Sequence, residues 1–381
     1  MSTLKSIYRP NELTALLKLK LGATFSQKEQ QDAQDYNEDI NYCFETLDKV
    51  SRSFAAVIRQ LPHELGVSIC LFYLILRALD SIEDDMSLPK EKKIKLLRTF
   101  YEKNYQDGWT ITGVGDKQEY RELLKNYDKV IRAFQSIDSK FQNVITEICQ
   151  KMGAGMADYA NAEIISINDY NSYCHYVAGL VGVGLSKIFV ASNLEDETLQ
   201  FEETLSNAMG VFLQKTNIVR DYKEDLVESR TFWPKEIWGQ YSTTLNHFTT
   251  DPKGQKSISC LNHMVNDALH HVIDCLEYLK KIKNERVFKF CAIPQVMAIA
   301  TLREVYNNPK VFLRNVKIRK GFAARLIVNT NSIKDVIHIF SDIVLAIERN
   351  IPDDGAISKE TLRLIEQIKN YCNTETLKPY A

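Results

Sequence analysis

Asp80, Glu83 and Asp84 fall at i, i+3 and i+4 of the stretch LRALDSIEDDM (76–86), so a helix projects all three carboxylates from one face. They follow VSICLFYLIL, among the most apolar runs in the chain, and burying an unpaired polar group there costs roughly 2–7 kcal/mol, an ion more. A cation must therefore stand against them. A second set lies 141 positions on (221 − 80), in NIVRDYKEDL, where Asp221 and Asp225 are again i and i+4. Oxygen-only ligands of this kind suit Mg²⁺, with Mn²⁺ as the alternative, because Mg²⁺ takes one or two protein carboxylates, keeps water and fills its remaining positions with substrate phosphate. An isolated acidic pair on a helix is most often a solvated face. Here both sets are embedded in apolar helix and both carry arginine: Arg77 precedes the first, and Arg220 and Arg230 flank the second. Acid plus base beside an apolar lining is what a diphosphate on a hydrocarbon tail requires.

Helices must carry these groups. Ile40, Cys43, Phe44, Leu47, Val50, Phe54, Val57, Ile58 and Leu61 recur at three and four residues, which predicts one long helix with one apolar stripe. Val144, Ile148, Met152, Met156 and Tyr159 repeat the pattern, and 204–228, 261–283 and 333–349 are similar. No sustained period-two alternation occurs. Turn-forming residues cluster at 106–118, 249–257 and 350–356, and none of these stretches is long enough to mark a linker. The expectation is a single all-α domain over 1–381, with an N-terminal segment (about 1–39), a helical core (about 40–349) and a C-terminal segment (about 350–381).

The 381 residues carry 48 basic and 49 acidic side chains, which removes any bulk electrostatic bias toward nucleic acid. Eight cysteines lie scattered without a Cys-x-x-Cys pair, and so read as reduced thiols in a cytosolic setting. The first residues lack the apolar core and cleavage site of a signal peptide. No uninterrupted run reaches the ~18–20 apolar residues of a membrane span, because the run from Val67 ends at Arg77.

Three further stretches are ambiguous by residue type alone. In NSYCHYVAG, Tyr173 could move a proton and present a ring face to a carbocation, but His175 and Tyr176 are equally eligible, and a core tyrosine with a satisfied hydroxyl is the plainer reading. In SRSF, Ser51, Arg52 and Ser53 interrupt the apolar stripe that Phe54 resumes; this suits phosphate binding, or a helix surfacing. RNVKIRK (314–320) places four basic residues in seven, a pattern also met in solvated patches. Gly179, Gly182 and Gly184 are not a dinucleotide loop, since no strand precedes them and the spacing is wrong. Close helix approach explains them better.

The pair DSIEDD and DYKED resembles the two aspartate-rich motifs of head-to-head isoprenoid synthases. VSRSFAAVIRQL, FYLILRALDSIEDDM, KMGAGMADY, YCHYVAGLVG, FLQKTNIVRDYKEDL, FWPKEIW, FCAIPQVMAIATL and VKIRKG narrow the resemblance to the squalene synthase family, in a fungal style, over about residues 40–325. The resemblance implies the isoprenoid synthase fold, with a central cavity lined by two aspartate-rich helices. It implies head-to-head joining of two farnesyl diphosphates to presqualene diphosphate, then reduction with NADPH to squalene, by a monomer with no nucleic-acid partner. Asp80, Glu83, Asp84, Asp221 and Asp225 would hold Mg²⁺, and Tyr173 would serve acid–base work in the first half-reaction. Ser51, Arg52, Ser53, Phe54, Tyr73, Arg77, Gln214, Asn217, Arg220, Arg230, Phe290, Cys291 and Pro294 would contact substrate, the last three as a water-excluding wall. Lys317 and Arg319, with Arg52, Arg77 and Arg220, would grip NADPH.

One departure concerns the loop over the site, where relatives carry Lys-Asp-Arg and this chain has Glu119, Tyr120 and Arg121. Either Lys117 substitutes or the lid closes less firmly. Dehydrosqualene- or phytoene-type synthases share both acidic motifs but omit hydride transfer, and VKIRKG and FCAIP argue against that branch. A silent scaffold is disfavoured by the intact motifs. Squalene has no polar group, so an enzyme making it should deliver it to a bilayer; the resemblance implies a C-terminal anchor in the endoplasmic reticulum membrane, and the expectation is a catalytic domain truncated ahead of it, held in its native form on the cytosolic face.

Overall fold

The computed structural model describes residues 12, 14, 36–160, 162–352 and 355–377, with the side chains of Arg52 and Ser53 outside the described set. Helices, short 3₁₀ segments and one π turn make up its regular structure, and no strand occurs among the described residues. The protein is all-α, as its periodicity predicts. Its contacts sort into two compact units, residues 23–162 with 179–203, and residues 1–22 and 163–178 with 204–381.

In the first unit the expected long helix over 40–61 is two helices, Glu38–Val50 and Arg52–Ile58, broken at Ser51 (φ −157°, ψ 85°). The apolar stripe crosses the break unaltered, with Leu47, Ala55 and Ile58 all buried, which is why periodicity alone hid it. The helix His63–Asp84 buries 15 residues, from Leu65 to Ile82. It packs on Ser139–Tyr159, which also receives Lys90–Lys103 and Leu180–Ala191. Two glycines set those distances. A Cβ at Gly153 would collide with the Leu97 carbonyl oxygen, and one at Gly184 would lie 2.8 Å from both Ile148 Cγ1 and Phe72 Cζ. Close helix approach, not a nucleotide loop, is therefore what Gly184 serves.

In the second unit Gln255–Leu269, Glu285–Val305, Ile333–Glu348 and Ala356–Leu377 pack pairwise, and Gln295 Nε2 donates to the Met209 carbonyl at 3.1 Å, tying Glu285–Val305 to Glu203–Arg220. The expected helix over 204–228 bends at Asp221 (φ −93°, ψ 8°) and resumes as Tyr222–Val227. A buried cluster of Tyr222, Trp233, Phe248 and Phe312 fills the space beneath that bend, with ring centroids 5.0–6.5 Å apart. Its polar tips are satisfied, Trp233 Nε1 by the Ile218 carbonyl and Tyr222 Oη by the Leu245 carbonyl, as buried Tyr and Trp require.

All eight cysteines are free and buried. One expectation is corrected: His63–Asp84 and the stretch Ile167–Ala191 are both long and apolar enough to cross a membrane by length and composition. A run broken at its first charge misses them, because a helical window tolerates an isolated Arg77. Burial of 83 % of the apolar window in His63–Asp84 accounts for its composition as a core helix.

Candidate active site

In the first unit the helix His63–Asp84 ends at the DSIEDD motif, and its four carboxylates separate by role. Asp80 and Asp84 share one face, with Asp80 28 % exposed and 3.4 Å from Arg77 Nη1. Burial pushes the Asp80 carboxyl up to about 6, with Arg77 opposing the rise and Asp84 adding to it. Arg77 is thus part of the required counter-charge, and its field does not fully offset the desolvation. Asp85 is structural. Its carboxylate accepts from the Ser87 amide (2.8 Å), the Ser87 hydroxyl (2.5 Å) and the Gly115 amide (2.8 Å). These bonds pin the loop 113–117 to the helix end, and they outweigh burial to hold the carboxyl below its ordinary value.

The helix that follows this loop brings the Tyr120 ring to Arg77, and the loop's Lys117 lies against the same ring. The guanidinium lies 5.7 Å from the Tyr73 ring and 5.4 Å from the Tyr120 ring, and Lys117 Nζ lies 5.2 Å from Tyr120. Phe54 packs on Tyr73 at 5.6 Å. Arg77 Nη2 donates to Tyr73 Oη at 3.4 Å, while Arg77 Nε is buried without a hydrogen-bond partner. An orphaned cationic donor here suits an incoming anion. Arg121 instead holds its own loop, donating from Nε to the Gly115 carbonyl at 2.7 Å. Ser51 is half-buried at the helix break, and the side chains of Arg52 and Ser53 lie outside the described residues.

In the second unit the acidic motif comes already clasped. Arg220 grips Asp221 through two donors, Nε to Oδ1 at 2.8 Å and Nη2 to Oδ2 at 2.5 Å, the bidentate geometry that favours Arg over Lys. Arg230 donates to Asp225 at 3.2 Å and pairs with Glu228 at 2.5 Å. Asn315 Nδ2 donates to Asp221 Oδ1 and, at 3.2 Å, to Glu224 Oε2. Tyr173 joins the same constellation: 5 % exposed, its ring stacks on Phe232 (5.1 Å, 16°), and Phe232 in turn carries Arg230 at 5.9 Å. Of the three candidates in NSYCHYVAG, Tyr173 has its ring on Phe232. His175 Nδ1 instead meets Asn207 Oδ1 at 2.7 Å, and its ring meets Tyr176 edge-on.

Gln214 and Asn217 are half-buried on the helix preceding Asp221. Phe290 and Cys291 are buried and Pro294 half-buried within Glu285–Val305. Pro294 cannot make the bond to the Phe290 carbonyl. Lys317 is exposed, and Arg319 pairs with Glu12 at 3.0 Å while its Nε is buried without a partner.

Sequence reasoning missed Phe232, Asn315 and Lys215. Lys215 is buried and paired with Asp267 at 2.7 Å, with Nζ 5.2 Å from the Tyr170 ring. Lys215 lies within FLQKTNIVRDYKEDL, Phe232 within FWPKEIW and Asn315 within RNVKIRK, but residue type did not single them out there.

A family model described as Squalene/phytoene synthase matches residues 47–321. Squalene synthase of Rattus norvegicus is 41 % identical over 369 residues, 97 % of this chain and 88 % of that protein. The chain belongs to the squalene synthase family. A structure titled as a complex of TcSQS with a ligand superposes with a TM-score of 0.87 at 41 % identity, covering 89 % of this chain and 99 % of that one, so the fold is that of the family's enzymes. A protein of Arabidopsis thaliana named "Inactive squalene synthase 2" is 44 % identical over 98 % of this chain and 89 % of its own length. At this level of identity, family membership gives the enzyme type, and the particular residues must carry the activity.

Proposed function

We propose that the protein condenses two farnesyl diphosphates head to head to presqualene diphosphate and reduces that product with NADPH to squalene, both units acting as one catalytic domain. The observation that carries this reading is the packing of the Tyr173 phenol, through Phe232 and Arg230, onto the second acidic motif. It supports a reading in which the phenol moves a proton while the carboxylates of the same packed cluster serve a diphosphate-bound cation.

The residues fit the absent groups. Among the described residues no three His, Cys, Asp or Glu side chains converge on a metal site by themselves, and a few hard carboxylates are what Mg²⁺ needs when water and phosphate complete its shell. Asp80, Glu83, Asp84, Asp221 and Asp225 would hold it, and when bound it would supply Lewis acidity to the leaving diphosphates. Arg77 offers its orphaned Nε to phosphate, and Lys117, set over Tyr120 beside it, supports the view that this lysine substitutes in the divergent lid. Arg220 and Arg230 pair with Asp221 and Asp225 and would be free to turn toward phosphate if a metal took their place. Tyr173 takes the proton released in the first half-reaction. Phe290, Cys291 and Pro294 exclude water, which would otherwise capture a cation as an alcohol. Lys317 and Arg319, the latter again with an orphaned Nε, would grip the phosphates of NADPH. The hydrocarbon product partitions into a bilayer, at about 25 cal/mol per Å² of apolar surface, which favours work at the cytosolic face of the endoplasmic reticulum membrane.

Incubation with labelled farnesyl diphosphate, Mg²⁺ and NADPH, followed by identification of the hydrocarbon, tests the reading. Squalene is expected, and presqualene diphosphate should accumulate when NADPH is omitted. Recovery of dehydrosqualene, or of no coupled product at all, would overturn it.

A further inference from the structure

Asn315 lies 94 residues from Asp221 in sequence, yet its side chain is bonded to the second acidic motif at two points. The reason is the aromatic cluster beneath the bend. Phe312 meets Tyr222 edge-on at 5.1 Å and 89°, and Tyr222 directly follows Asp221, so packing three residues before Asn315 fixes the approach of the whole segment. The amide orientation is unambiguous on chemical grounds, since only the NH₂ group can face two carboxylates. Its Oδ1 is therefore turned away, and it is buried without a hydrogen-bond partner. A buried acceptor left open costs roughly 1–3 kcal/mol, so something must compensate this placement. The two charge-assisted bonds to Asp221 and Glu224 do so.

We propose that Asn315 is a positioning residue: its amide fixes the rotamer of the Asp221 carboxylate and thereby sets the affinity of the second motif for its divalent cation. This rests on the metal reading of Asp221 given above. Arg220 alone cannot supply the function, because it is the charge a metal must displace, whereas a neutral amide stays in place when the cation arrives. Outer-shell partners of this type are worth about 10–100-fold in metal affinity.

The test is a Mn²⁺ titration of the purified protein in the presence of inorganic diphosphate, followed by electron paramagnetic resonance, with NADPH affinity measured separately by fluorescence. Asn315→Ala should weaken Mn²⁺ binding about tenfold and leave NADPH affinity within about twofold. Asn315→Ser, whose hydroxyl is too short to reach both carboxylates, should behave likewise and serves if the alanine variant does not fold. Added to Asp221→Asn, Asn315→Ala should have no further effect, because the group it positions no longer coordinates. Unchanged Mn²⁺ affinity in a folded variant, or a parallel fall of metal and NADPH affinity, would overturn the proposal. Failure of the wild-type protein to bind Mn²⁺, or indifference of that binding to Asp221→Asn, would instead remove the metal reading beneath it.

Discussion

The two acidic motifs share one spacing and differ in how their charge is met. In the first, Asp80 lies in the last turns of the apolar helix His63–Asp84, has the Arg77 guanidinium at 3.4 Å, and has its carboxyl raised to about 6 by burial. In the second, Asp221 is gripped by Arg220 and Asn315, and Asp225 by Arg230. Asp80 is thus desolvated beside Arg77, whereas Asp221 and Asp225 each meet a guanidinium of their own unit. One i, i+4 pattern is set in two electrostatic surroundings.

Breaking the first motif should have the largest effect. Asp80→Asn and Asp84→Asn should cut presqualene diphosphate formation by on the order of 10²–10³-fold or more, since an amide cannot replace a carboxylate ligand on a diphosphate-bound cation; product analysis reads this. Stability should respond differently in the two motifs. Asp80→Asn relieves a desolvated carboxylate but removes the partner of Arg77 at 3.4 Å, so the melting temperature should stay within about 2–4 °C of wild type. Asp225→Asn takes one carboxylate from Arg230, which keeps Glu228, and should cost about 1 kcal/mol in chemical denaturation.

Tyr173→Phe keeps the ring stacked on Phe232 and removes only the hydroxyl. Formation of presqualene diphosphate should fall about 10²-fold or more with little change in substrate binding, and near-normal turnover would assign the proton to another group. Lys317→Ala with Arg319→Ala should spare the first half-reaction and let presqualene diphosphate accumulate, roughly tenfold over wild type, as phosphate-gripping cations are lost. Equal loss of both halves would place this patch in substrate binding or folding.

The smallest effect tests whether the second unit is self-compensated away from its motif as well. The His271 imidazole is held down to about 3, by burial first and then by Lys215 and His270. The unfolded chain takes up its proton near pH 6.5, before the folded one can. This contribution to stability is therefore complete above pH 6.5 and is lost as the pH falls toward 3. The melting temperature of the wild type should drop more steeply than that of His271→Gln between pH 6.5 and 4.5. Parallel curves would show that the imidazole is not so confined.

Much of the fold was legible because a helix writes its buried face at three- and four-residue spacing, as Val144 to Tyr159 do. The breaks at Ser51 and Asp221 were not, because the apolar pattern runs straight through both. Residue types likewise pointed to a cation, a diphosphate and an apolar tail. Helical spacing already set Asp85 apart from Asp80, Glu83 and Asp84; what Asp85 does could not be read, since it depends on the Gly115 amide 30 residues away.

The sequence by itself determined which segments are helical, which carboxylates share a face and, through its long shared strings, the family. Tertiary structure alone decided that Tyr173 stacks on Phe232, that Tyr120 lies against Arg77, and that Asn315 holds Asp221. Periodicity is a short-range record, in which each residue is spaced against neighbours one or two turns away. These pairings join residues distant in sequence, and each exists only because intervening packing, such as Phe312 on Tyr222, closes the chain onto itself.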